Sequence, residues 1–330
     1  MKLLVCGGAG FIGSNFARIR SGDHGDEVVV LDKLTYSGNP ANLEGTGAEL
    51  VVGDICDAET VEDAAAGCDA IVNFAAETHV DRSILGPADF ILTDVLGTQV
   101  LLDHVRTAGI SRFVQVCTDE VYGDLEEGGR SREEDPLRPS SPYSASKAGG
   151  DLEVLAYVRT YGVDASITRG ANTYGPNQYP EKLIPLFVTN ALDAEPLPLY
   201  GDGRQVREWL HVDDHCAAIE HVLREGEPGG IYNVGGEERE NRDVAGRIVA
   251  ATRADESLIR HVADRPGHDR RYALDDTRLR SLGWAPARSF DEGLAATVEW
   301  YRDNRGWWEP IKSGEFRAYY EQQYAARLRA

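Results

Sequence analysis

The stretch Gly7-Gly8-Ala9-Gly10-Phe11-Ile12-Gly13 limits what this chain can fold into more than any other. It follows the apolar, β-favouring run Lys2–Cys6 and leads into a helical pattern over Phe11–Arg20. Glycines spaced Gly7-x-x-Gly10-x-x-Gly13 permit a tight strand-to-helix turn. That turn leaves helix amides and the positive end of the helix dipole available to an anion. The alternation then continues. Runs at Glu27–Leu31, Glu49–Val52, Ala70–Asn73, Arg112–Cys117 and Ala165–Thr168 read as buried strands. The spacing predicts helices over Thr60–Ala66, Phe90–Ala108 and Tyr143–Tyr161 between them.

Strands alternating with helices predict an α/β protein, a Rossmann-type doubly wound parallel sheet. Asp32 ends the second predicted strand, 19 residues beyond Gly13. A carboxylate there accepts hydrogen bonds from an adenosine ribose and repels a 2′-phosphate, which favours NAD over NADP, although Lys33 stands beside it. After Arg169 the texture changes to proline, glycine and aromatic residues in short elements. The expected division is therefore 1–170 for the dinucleotide lobe, with later segments returning to it, and 171–330 mainly for a smaller, interleaved substrate lobe. Later segments such as Ile231–Val234 and the Phe290–Asn304 helix are expected in that smaller lobe.

The chain has 330 residues and a formal net charge of −21, which argues against nucleic-acid or polybasic membrane partners. No apolar run reaches the ~18–20 residues that span a bilayer. Five scattered cysteines without a C-x-x-C spacing point to reduced thiols, a cytoplasmic protein and no metal site.

Chemistry concentrates at Thr118-Asp119-Glu120 and Tyr143-Ser144-Ala145-Ser146-Lys147. Tyr143 and Lys147 lie four apart on one helix face, and Pro142 suits the helix start. A tyrosine base near neutral pH needs its pKa lowered by about 3 units, which a nearby ammonium and an oxidised nicotinamide would favour. Asp119 and Glu120 follow a strand whose neighbouring side chains would point to opposite faces. Both reach one substrate only if the chain turns, as Val121-Tyr122-Gly123 suggests. Two carboxyls in different environments can divide elimination between a base and an acid; a solvated acidic loop is the plain alternative.

These motifs closely resemble those of the dTDP-glucose 4,6-dehydratases, extended short-chain dehydrogenase/reductases that act on nucleotide sugars. The likeness includes Leu31–Tyr36, Ala75–Ser83, Tyr179–Pro185, Arg207–His215, Ala263–Asp269 and the tail Lys312-Ser313-Gly314. The resemblance implies C4 oxidation, loss of water across C5 and C6, and return of hydride to C6, with a tightly bound NAD recycled in each turnover. It makes Tyr143 the base at the 4-hydroxyl, assisted by Lys147. Glu120 becomes the base at C5, Asp119 the acid at the 6-hydroxyl, and Thr118 a hydrogen-bond partner of the sugar. Around NAD it implies Gly7, Gly10, Phe11, Ile12, Gly13, Asp32, Lys33, Leu34, Thr35, Asp54, Ile55, Phe74, Ala75, Ala76, Glu77, Thr78, Thr93, Tyr143, Lys147 and Thr173. Around the nucleotide sugar it implies Thr78, Thr118, Asn172, Lys182, Leu183, Pro198, Leu199, Tyr200, Arg207, Asn241, Asp264, Arg265, Pro266, Gly267 and His268. Arg207 would grip diphosphate, Tyr200 would pack on the pyrimidine, and the protein would be a homodimer through the helices Phe90–Ala108 and Tyr143–Tyr161.

Four places depart from the family pattern: Cys6 for threonine, a lone Asn172 where two asparagines usually stand, Gln205-Val206-Arg207, and a shortened segment near Gly235-Gly236-Glu237. Other readings use overlapping parts. A nucleotide-sugar 4-epimerase or decarboxylase would share Tyr143 and Lys147 without needing an acid at Asp119. A UDP-sugar 4,6-dehydratase would keep both carboxyls, and a non-catalytic dinucleotide sensor would need neither pair.

Overall fold

The computed structural model describes residues 1–264 and 269–328. Its strands are β1 Lys2–Cys6, β2 Glu27–Asp32, β3 Glu49–Val52, β4 Ala70–Asn73, β5 Arg112–Thr118, β6 Ala165–Gly170, β7 Asn172–Tyr174, β8 Leu197–Tyr200, β9 Val206–His211, β10 Ile231–Val234, β11 Glu237–Glu240 and β12 Ile259–Val262. Seven of them form one parallel sheet in the order β10-β6-β5-β4-β1-β2-β3. The chain runs outward from β1 through β2 to β3. It then returns to β4 on the other side of β1 and continues outward. Ligands bind such sheets at that reversal, outside the carboxyl ends of the strands.

Strand periodicity builds the core. Leu4 and Cys6 enter the apolar cluster on one face, while Leu3 and Val5 enter the cluster on the other. Full burial of each such side chain contributes roughly 1.5–3 kcal/mol, so a one-residue slip of β1 would cost the sheet both faces at once. A third cluster, with Tyr174, Phe187, Trp209 and Trp308, forms the smaller lobe. Ile231–Val234 is not in that lobe; it pairs with β6 and forms an edge of the main sheet.

The helix expected over Phe90–Ala108 is built of Ala88–Ile91, a π-helical turn Leu92–Gly97, and Thr98–Ala108. Close packing against the helix Pro142–Tyr161 accompanies this widening: a Cβ on Gly150 would stand 2.6 Å from the Asp94 carbonyl. Pro142–Tyr161 itself starts on a Ser141/Ser144 capping box with proline in its first turn, and stops at Gly162 in the left-handed region. Among the described residues, no helix is long and apolar enough to cross a membrane.

Candidate active site

A cleft opens over the carboxyl ends of β1, β2, β4 and β5. Of the residues expected around the dinucleotide, all but Leu34 and Thr173 line it. Gly7 takes a φ of +72°, and a Cβ there would meet the backbone nitrogen of Ala75 at 2.5 Å. A Cβ on Gly13 would meet the Gly7 carbonyl oxygen at 2.5 Å. The turn is thus closed to any side chain, which keeps its amides accessible. Asp32 closes β2, its carboxylate accepting from the amides of Ala9 at 2.9 Å and Leu34 at 2.8 Å. Lys33 forms an ion pair with Asp54 at 2.7 Å, so its charge is already engaged and offers little to a 2′-phosphate. These features fit NAD.

Leu34 instead packs against the core under β1 and β2. The Thr173 hydroxyl lies 2.6 Å from His215 Nδ1 and donates to the Ala171 carbonyl at 3.2 Å, which turns it away from the cleft. Cys6 is fully buried, and that burial pushes its thiol pKa up. Sequence reasoning missed Gln178, Tyr179 and Glu181 on the wall of this cleft. They arrive through a loop whose path depends on tertiary packing.

A second cleft joins the first through Lys182 and Glu181, which line both. Asn172, Leu183, Pro198, Leu199, Tyr200, Arg207 and Asn241 stand on its walls, with Glu120 among them. Thr78 lies in the first cleft, and Asp264 accepts from Gln205 Nε2 at 2.8 Å. Arg265, Pro266, Gly267 and His268 lie outside the described residues. At Gly236 only glycine fits, since a Cβ there would meet the Trp209 carbonyl oxygen at 2.5 Å. Asn172 Oδ1, Asn241 Oδ1 and Trp209 Nε1 are buried with no hydrogen-bond partner among the described residues. Three such atoms around one cleft suit a polar ligand, because orphaned buried polar groups are costly. Arg207 is held ready for an anion: its guanidinium donates to the carbonyls of Val206 at 2.8 Å and Asp269 at 2.9 Å and lies over the Tyr272 ring.

Between the clefts, β5 ends in a 3-10 turn, Asp119–Tyr122. Thr118 caps it, accepting from the Glu120 amide at 3.3 Å and donating to Asp119 Oδ1 at 3.0 Å. Tyr122 ties the turn down through Arg169 at 2.8 Å and Asn233 at 2.8 Å. The turn separates the two carboxyls. Glu120 faces the second cleft, whereas Asp119 lies just beneath, 2% exposed. Burial, then the charge of Glu120, pushes the Asp119 pKa up to about 8. Asp119 Oδ2 has no partner among the described residues. Asp119 thus keeps its proton near neutral pH, as the acid of an acid–base pair requires.

Tyr143 and Lys147 line the first cleft. The protein's own charges do not lower the Tyr143 pKa as expected. Burial, then Glu120, Asp94, Cys117 and Asp119, pushes it well above its ordinary value. Lys147 donates to the Val116 carbonyl at 3.0 Å. The phenol therefore stays protonated until a positive charge, such as that of an oxidised nicotinamide, stands beside it.

Comparison with known proteins places this geometry. Residues 4–297 match the family model described as GDP-mannose 4,6 dehydratase. A dTDP-glucose 4,6-dehydratase of Streptomyces niveus is 53% identical over 324 residues, covering 95% of this chain and 96% of that protein. The crystal structure of DesIV, a dTDP-glucose 4,6-dehydratase of Streptomyces venezuelae with NAD and TYD bound, superposes with a TM-score of 0.91 at 55% identity, covering 94% of this chain and 100% of that one. The UDP-glucose 4-epimerase of Thermus thermophilus in complex with NAD gives a TM-score of 0.87 at 34% identity, covering 92% of this chain and 100% of that one.

Proposed function

The chain belongs to the dTDP-glucose 4,6-dehydratases, and we propose that its two clefts and the turn between them divide the work of one elimination. It is an NAD-dependent hydro-lyase that converts dTDP-glucose to dTDP-4-keto-6-deoxyglucose and water. One observation supports this reading over an epimerase or decarboxylase: a buried carboxyl pushed up to about 8 beside a cleft-facing one. Moving hydride at C4 alone needs no such acid.

Bound NAD, held by the glycine turn and Asp32, supplies the reversible two-electron store that oxidises C4 and later reduces C6. With the oxidised nicotinamide favouring its phenolate, Tyr143 takes the proton of the 4-hydroxyl, and Lys147 lines the same cleft. The 4-ketone acidifies the C5 proton, which Glu120 removes. Protonated Asp119 gives its proton to the 6-hydroxyl, so that oxygen leaves as water. Glu120 then returns a proton to C5, and the proton collected by Tyr143 replaces the one Asp119 gave. Thr118 fixes both carboxyls by capping their turn, and Arg207 with Lys182 holds the diphosphate.

Incubation with dTDP-glucose, UDP-glucose and GDP-mannose, followed by detection of 4-keto-6-deoxy sugars, tests the reading. The expected result is preference for dTDP-glucose. Formation of the galactose epimer with retention of the C6 oxygen would overturn it, and equal turnover of UDP-glucose would overturn the base preference alone. The enzyme works in the cytoplasm as a homodimer in this proposal. Leu152 at 57% exposed and Ile91 at 50%, with Leu92 and Leu96, support an interface on the predicted helices. Leu152→Glu should shift the mass in light scattering from dimer to monomer.

A further inference from the structure

The last helix, Glu315–Leu328, lies past residue 297, where the family match stops. It folds back over the second cleft. Phe316, Tyr320 and Tyr324 fall four apart on one face, their successive ring centroids 6.2 Å and 4.9 Å apart. They join the apolar cluster of the smaller lobe. Tyr319 and Gln323 reach the neighbouring wall instead. The Tyr319 hydroxyl lies 3.4 Å from His79 Nδ1, and the Arg82 guanidinium sits 4.5 Å from the Tyr319 ring centroid. Gln323 Nε2 donates to Asp81 Oδ2 at 2.9 Å and to the Tyr200 hydroxyl at 3.0 Å. One amide thereby joins the two walls of the cleft.

Tyr324 is 5% exposed, and its ring lines the cleft with Leu199 and Tyr200. The rings of Tyr324 and Tyr200 are 6.0 Å apart and inclined at 36°. At that separation the two rings pack against each other, so Tyr324 backs Tyr200 on this wall of the cleft, and the Gln323 amide fixes the Tyr200 hydroxyl. We propose that Gln323 and Tyr324 form the wall of the nucleobase end of this cleft and determine affinity for the nucleotide half of the substrate. This rests on the nucleotide-sugar reading above, which assigns Tyr200 to the pyrimidine. Neither residue takes part in the chemistry at C4, C5 and C6, so they act on binding and leave the reacting carbons unaffected.

Steady-state kinetics with dTDP-glucose and calorimetric binding of dTDP test the inference. Tyr324→Ala should raise KM and the dTDP Kd about tenfold, with kcat within about twofold, since it frees the Tyr200 ring whose contact with a base is typically worth a factor of that size. Tyr324→Phe, which keeps the ring, should restore both. Gln323→Ala, a milder change, should raise KM in the same direction with the fold intact by circular dichroism. Unchanged KM and Kd in Tyr324→Ala and Gln323→Ala would overturn the inference, and tighter binding would too, because the helix would then be an obstruction. Failure of the wild-type enzyme to turn over dTDP-glucose would instead sink the functional reading itself.

Discussion

Asp119→Asn isolates the group on which the elimination depends, and its effect on stability can be worked out before any rate is measured. The carboxyl pKa rises from 3.8 to about 8 on folding, through burial first and Glu120 second. At about 1.4 kcal/mol per unit, ionising it inside the fold costs roughly 5–6 kcal/mol more than in the unfolded chain. Below pH 4 both states keep the proton and the term vanishes. As pH rises from 4 to 8, the unfolded chain loses its proton while the fold holds it, so stability falls. Above pH 8 both are ionised and the loss is constant. At pH 7 the penalty is already roughly 4 kcal/mol.

Asparagine removes that titration but introduces an amide where Oδ2 has no partner, an offset of roughly 1–3 kcal/mol independent of pH. The slope is therefore the decisive quantity. Denaturant unfolding at a series of pH values, with NAD held at one concentration, should show wild type losing roughly 4 kcal/mol relative to the variant between pH 5 and 8. The same variant should still bind NAD and oxidise C4. Water loss should slow by roughly 10²–10⁴, so reduced nicotinamide accumulates in a single turnover. A difference in stability that does not change with pH would mean Asp119 is ionised in the fold, and the acid assignment would fail. Dehydration at the normal rate would break it from the other side.

Gly13→Ala places a methyl 2.5 Å from the Gly7 carbonyl oxygen; purified variant should carry little NAD, and a wild-type content released on denaturation would refute the cradle. Asp32→Ala removes the acceptor for the Ala9 and Leu34 amides, so NAD affinity should fall about tenfold or more and discrimination against NADP should shrink. Because Lys33 remains paired with Asp54, strong NADP binding in that variant would contradict the reading of Lys33. Arg207→Lys keeps the charge but loses the planar fork held by Val206 and Asp269. KM for dTDP-glucose should rise about tenfold with little change in kcat, and an unchanged KM would remove Arg207 from diphosphate binding.

What could be read from the sequence is what short-range physics dictates. Short continuous apolar runs placed six of the seven strands of the parallel sheet, and glycine spacing placed the turn at the end of β1, because local burial pattern and steric exclusion act within a few residues. Tyr143 and Lys147 share a helix face for the same reason. The rest depended on contacts far apart in sequence. The π turn at Leu92–Gly97 accompanies packing against Gly150 on another helix. Thr173 turned toward His215, 42 residues on, and Gln323 reached Asp81 across 242. The most consequential instance is at the centre of the site. Asp119 and Glu120 are neighbours with nearly the same intrinsic acidity, and composition gives no ground for assigning them opposite roles. A four-residue turn, Asp119–Tyr122, capped by Thr118 and held down through Tyr122 and Arg169, sends one carboxyl under the surface and leaves the other in the cleft. The acid and the base are therefore distinguished by where the fold puts them.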